Sequence, residues 1–173
     1  GKDKGEVAGG MLPAHLTGNL WQQDWGNLWD MMQPYPGAGS LDVNSALRAI
    51  AQADLTSERN KPGEPGASAA QREVDAERAA ALVTAKKMTE RAQDFYVSLG
   101  MQKLPQSYWE KTQFIKPRDR DVVCHASAWD MNMAGDVRTK MCIVPSEEEL
   151  KTVYHELGHI YYDLAYNKQP PLF

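Results

Sequence analysis

His155, Glu156 and His159 are the residues whose types and spacing best suit chemistry, because His155-Glu156-Leu157-Gly158-His159 fits the pattern H-E-x-x-H. On a helix, residues four apart share one face and lie about 6 Å apart along the axis, so the two imidazoles can lean onto one metal ion. Zinc takes such nitrogens at about 2.0–2.1 Å. Glu156, one residue along, can hold the water on the metal without being a ligand. Zinc brings the pKa of that water to about 7, and a carboxylate beside it can take the proton as hydroxide attacks a polarised carbonyl. This predicts metal-assisted amide hydrolysis.

A catalytic zinc ordinarily has three protein ligands and a water, and this helix supplies two. Asp163 cannot be the third, because its Cα lies about 12 Å along the axis from that of His155. Tyr162 and Ala165 stand where the extended motif H-E-x-x-H-x-x-G-x-x-H has its Gly and last His. No Glu follows His159. The expectation is an upstream acid or a ligand beyond Phe173, with the abrupt end of the chain favouring the second.

The motif needs a helix to hold it, and Pro145-Ser146-Glu147-Glu148-Glu149 has the form of a helix start. Ser146 is the N-cap, Glu149 its capping-box partner, and three acids face the positive end of the dipole. That helix is expected to reach about Tyr166. Two β-like runs precede it, 122–129 and 138–144, with a turn around Ala134-Gly135-Asp136. A hairpin centred on Met133 sets Cys124 opposite Cys142, the chain's two cysteines. They form a bridge or remain two buried thiols, and a bridge would imply an oxidising compartment.

Earlier stretches read as helical. A helix from about Leu12 to Gln33 carries Trp21, Trp25 and Trp29 at spacing four, a face that suits core packing. Asp42 can cap a second helix running to about Ala53, and Thr56–Gly66 reads as an exposed loop. Ala67–Leu99 is rich in helix formers, with Gly100 at its end and a solvated first part over 67–81. The fold class is therefore mainly α, with a small antiparallel β-hairpin next to the active-site helix.

Composition narrows the partners. The 173 residues are 42% hydrophobic and 24% charged, with 19 Lys+Arg against 23 Asp+Glu and a net charge of -4. Such a chain has no positive field for a phosphate backbone, which disfavours nucleic acid. No run reaches the roughly 18 apolar residues of a membrane span, and no signal peptide is visible.

Three separated segments, taken together, resemble the angiotensin-converting enzyme family of peptidyl-dipeptidase zinc metallopeptidases. Gly10-Met11-Leu12-Pro13-Ala14-His15-Leu16-Thr17-Gly18-Asn19-Leu20-Trp21 resembles the family's G-x-L-P-A-H-L-x-G-N-x-W block. Residues 122–130 match its V-V-C-H-A-S-A-W-D strand, and 154–160 are similar to its H-H-E-M-G-H-I helix, with Tyr154 replacing the first, non-ligand His. The resemblance covers about Gly9 to Pro170, apart from a helical insertion at about 52–88.

It implies a zinc-dependent release of dipeptides from the C-terminus of oligopeptides. His155 and His159 would be ligands and Glu156 the general base. His125 would hydrogen-bond substrate, and the backbones of Ala126 and Ala128 would pair with an extended peptide. Cys124 and Cys142 match a family disulfide. Gln23 matches a glutamine that binds the substrate's terminal carboxylate, where the branch releasing single residues has arginine. Asp24 and Lys151 depart from the animal enzymes and bear on side-chain preference. The family's third ligand, a Glu, would lie beyond Phe173, with the oxyanion-stabilising residues and the chloride sites. On this reading 1–173 is a partial catalytic domain lacking its C-terminal part, inactive in isolation, from an extracellular or periplasmic protein that is secreted or membrane-anchored. The alternative is a catalytically inactive peptide-binding relative.

Overall fold

Thirty consecutive residues, Ala69–Ser98, form the longest helix, α3. Its sequence is dominated by Ala, Glu, Lys, Arg and Gln, which lose little rotamer freedom in a helix. The Ser68 hydroxyl accepts from Gln71 N at 3.1 Å and caps the start. At the other end Gly100 adopts φ +92°, its N–H donates to Val97 O (2.9 Å), and Met101 N donates to Tyr96 O (3.2 Å). These two bonds make a Schellman stop. No residue of α3 before Ala80 is buried, so its first part is solvated.

The computed structural model describes residues 26–32, 34–35, 41–167 and 169–170. The chain divides into two units after Leu41. In the first, a 3-10 turn at Gly26–Leu28 leads into one helical turn, α1, Trp29–Met32. Trp29 is 59% exposed, against the expected core role, while Trp21, Trp25 and Gln23 lie outside the described residues.

In the second unit α2, Val43–Arg59, starts on Asp42, whose carboxylate accepts from Ser45 N at 2.9 Å. It runs past the expected end at Ala53 because its last turns are held to α3. Arg59 pairs with Glu73, and Asp54, 6% exposed, accepts from the Thr84 hydroxyl (2.8 Å) and pairs with Lys87. The two helices are antiparallel, and the exposed loop shrinks to 60–68. A short helix α4, Gln106–Lys111, follows Pro105.

Strands β1, Ser127–Asp130, and β2, Val137–Lys140, pair antiparallel, with Ser127 opposite Lys140 and Asp130 opposite Val137. The hairpin is present but shorter than the expected runs and one residue out of the expected register. Continuing the observed ladder would set Cys124 against Ile143. Instead Cys124 and Cys142 are joined by a disulfide, Cα atoms 5.3 Å apart, outside the strands. The bridge is thus offset by one from the register of the ladder. The far edge of β2 is covered by residues 113–114, since Gln113 N donates to Thr139 O (3.0 Å), Met141 N to Gln113 O (2.8 Å) and Ile143 N to Phe114 O (2.9 Å).

The final helix, α5, spans Glu147–Tyr166. Ser146 caps it by accepting from Glu149 N at 3.2 Å. The reciprocal half of the capping box is not made, because Ser146 N donates to Val144 O (2.8 Å). Val153, Leu157, Ile160 and Tyr161 form its buried stripe and join a core with Met88, Ala92, Tyr108, Phe114, Val137, Met141 and Ile143. Mid-helix Gly158 has a packing reason: a Cβ there would sit 3.0 Å from the Tyr96 hydroxyl. That hydroxyl donates to Tyr154 O at 2.8 Å, and the Tyr96 ring lies against Tyr161 with centroids 4.6 Å apart.

A helix normally gains about 1 kcal/mol when Gly becomes Ala. Here Gly158→Ala is expected to give no such gain, because the tyrosine must yield its hydrogen bond. Tyr96→Phe alone should cost about 1 kcal/mol, and the double variant should recover the helix gain. Thermal unfolding midpoints of the four proteins check this, and additive effects would sink the steric account.

Candidate metal and peptide site

The burial of α5 along 153, 157, 160 and 161 leaves His155 and His159 on its exposed side. Their Nε2 atoms are 3.1 Å apart and their rings meet at 81°. Two nitrogens at 2.0–2.1 Å from a tetrahedral zinc ion would be about 3.3 Å apart, so the pair is close to the separation that a shared metal requires. Neither Nδ1 has a hydrogen-bond partner among the described residues. Two imidazoles are an incomplete set, however, and no group of three His, Cys, Asp or Glu able to hold a metal occurs among the described residues. Asp163 accepts from the Tyr166 hydroxyl at 3.0 Å.

Glu156 is 7% exposed, so its stem is packed, yet its carboxylate accepts no hydrogen bond from the described residues. It lines an open cleft of about 580 Å³ with His155. The opposite wall is Cys124-His125-Ala126. The cleft thus gathers His125, Ala126, His155 and Glu156 from the expected set, with His159 one helical turn on. It also contains residues that the motif did not signal: Glu148, Glu149 and Thr152, at helical spacing before His155. Counting back by three and four along the helix would have found Thr152 and Glu148. Burial, and then the charge of Glu148, holds the Glu149 carboxyl above its ordinary range.

Tyr154 stands beside the pair without facing it. Its hydroxyl donates to Arg91 O (3.4 Å) and its ring packs on Phe95 at 5.5 Å between centroids, both on α3.

The backbone of β1 offers the second element. Met131 N donates to Asp136 O (3.0 Å), which makes that opposed pair a hydrogen-bonded one. Pairs alternate along an antiparallel ladder, so Ser127 and Trp129 turn their N–H and C=O groups toward β2. Ala128 then presents its groups to the other side, as does the carbonyl of Ala126, which shares a peptide unit with Ser127 N. No strand pairs with that edge among the described residues. An edge of this kind can accept an extended peptide as an added strand.

Known proteins give the site a lineage. The family model described as angiotensin-converting enzyme, peptidase M2, matches residues 2–173. An angiotensin-converting enzyme of Haematobia irritans exigua is 37% identical over 162 residues, covering 93% of this chain and 21% of that protein. The angiotensin-converting enzyme of Oryctolagus cuniculus is 36% identical over 162 residues, 93% of this chain and 10% of its own length. An angiotensin-converting enzyme-related protein of Drosophila melanogaster is 37% identical over 166 residues, 96% of this chain and 21% of its own. The chain therefore spans between about a tenth and a fifth of these relatives. With nearly its whole length matched, and with a histidine pair, a free carboxylate and an open strand edge gathered around one helix, this chain belongs to the angiotensin-converting enzyme family of peptidases.

Proposed function

We propose that the protein is a zinc-dependent peptidyl-dipeptidase that releases dipeptides from the C-terminus of oligopeptides. The observation that carries this reading is the 3.1 Å approach of the His155 and His159 Nε2 atoms beside the unpartnered carboxylate of Glu156. Bound there, zinc would supply Lewis acidity toward a carbonyl oxygen and make water acidic near neutral pH.

The chain's own residues do the rest. His155 and His159 hold the ion through Nε2. Glu156 takes a proton from water at a carboxylate oxygen and returns it to the leaving amine. The outward N–H and C=O groups of Ala128 and the outward carbonyl of Ala126 align the peptide, and His125 hydrogen-bonds it from the cleft wall. Gln23 binds the terminal carboxylate and sets the dipeptide length. The third ligand, a Glu, comes from beyond Phe173, so residues 1–173 are part of a catalytic domain, with an insertion at about 52–88. Chloride sites would lie in the same later chain.

The disulfide suits an extracellular or periplasmic setting. No described helix is long and apolar enough to cross a membrane. The rival is a peptide-binding relative that does not cleave, which would require that later Glu to be missing, and the intact His155-Glu156-Leu157-Gly158-His159 motif argues against it.

In the complete protein, a blocked tripeptide should lose its C-terminal dipeptide, and a chelator should abolish this. A single amino acid as the major product would contradict the role of Gln23. Glu156→Ala should keep zinc, measured by metal analysis, while lowering kcat roughly 10²–10⁴-fold. Full activity in that variant would overturn the assigned base. His155→Ala and His159→Ala should each lose the metal, whereas Tyr154→His should retain it; zinc retained without turnover in the wild type would favour the rival.

A further inference from the structure

We propose that Lys140 is a positioning residue that holds His125 in the cleft. This rests on the peptide-binding reading of His125 given above, and it adds a residue that neither the motif nor the family resemblance singled out.

Residues 121–126 form neither helix nor strand, although they carry the cleft wall. Among the described residues, one hydrogen bond reaches this segment: Lys140 Nζ donates to Val123 O at 2.9 Å. One covalent tether reaches it, the Cys124–Cys142 disulfide. Both start from 140–142, the stretch in which β2 ends.

That stretch is itself well anchored. Met141 is buried, its N–H donates to Gln113 O (2.8 Å), and its carbonyl accepts from Gln113 Nε2 (3.2 Å). Lys140 stands opposite Ser127 in the ladder and bridges to Gln113 on the other side. Its ammonium pairs with no carboxylate among the described residues. A cation directed at a carbonyl makes a charge-assisted bond, stronger than a neutral one.

Two adjacent fixed points are needed to orient a chain. His125 lies between the Cys124 disulfide and Ser127 in the ladder, whereas residues 121–123, on the other side of the bridge, have the Lys140 hydrogen bond alone among the described residues. Holding the Val123 carbonyl as well sets the direction in which His125 leaves the backbone. Losing the bond should spread His125 over several orientations that must be ordered again on binding. The cost falls on substrate binding, since His155, Glu156 and His159 stand on α5, which Lys140 does not hold.

The test uses the complete protein with Lys140→Met, which keeps the stem and removes the donor, and Lys140→Arg, which keeps a donor. Hydrogen exchange is followed in 121–126 and in α5, with zinc content and with kcat and KM on a blocked tripeptide. Lys140→Met should speed exchange in 121–126 and raise KM roughly three- to tenfold, the range of one net hydrogen bond. Exchange in α5, zinc content and kcat should stay within about twofold, a margin small beside one net hydrogen bond. Lys140→Arg should restore KM. Unchanged exchange in 121–126 overturns the tether. Faster exchange with unchanged KM overturns the positioning role, as does an arginine variant no better than methionine. If the wild-type protein does not cleave the peptide, the peptidase reading fails separately, and the exchange comparison still decides whether Lys140 holds His125.

Discussion

The site depends on one constraint, the burial of α5 along the stripe of Val153, Leu157, Ile160 and Tyr161. A helix that commits those positions to a core has no freedom over where the remaining ones point. His155 and His159 must face outward together, and Glu156, adjacent to Leu157, must sit at the boundary between core and cleft. The rotation of α5 is fixed further by the Tyr96 hydroxyl on the Tyr154 carbonyl, an approach that Gly158 permits.

The opposing wall obeys a different rule. It is not a regular element but a segment held between a strand and two tethers. The antiparallel alternation of β1 turns the groups of Ala128 and the carbonyl of Ala126 away from β2, and the disulfide joins the two chains beyond the end of the ladder. An irregular wall facing a rigid helix is a common arrangement in which the scaffold supplies precision and the loop supplies contacts.

Much of this was legible in the sequence, for physical reasons. The cap at Ser146, the helix to Tyr166 and the convergence of His155 with His159 follow from local rules that need no tertiary information. The end of α2 is not legible locally, because Thr56 to Arg59 looks like loop chemistry, whereas the Arg59–Glu73 and Asp54–Lys87 contacts to α3 extend the helix. The observed register is one residue from that of a hairpin centred on Met133, because turn residues locate the loop without fixing its central residue. The exposure of Trp29 contradicts an argument from aromatic spacing, since periodicity identifies a face without saying what covers it. Lys140 carries no sequence signal at all, because a lysine reaching a carbonyl looks like any solvated lysine.

The cleft wall, both imidazoles and the carboxylate all come from residues 124–159, with the hairpin, a short connection and the start of α5 between them. Parts so close in sequence meet through short loop closures, which are cheap in entropy and fast. The α2–α3 arm enters the chain earlier and supports this region from behind. Its outer end, where no α3 residue before Ala80 is buried, adds nothing to that closure, so the cleft is assembled from one contiguous stretch of chain that can close locally.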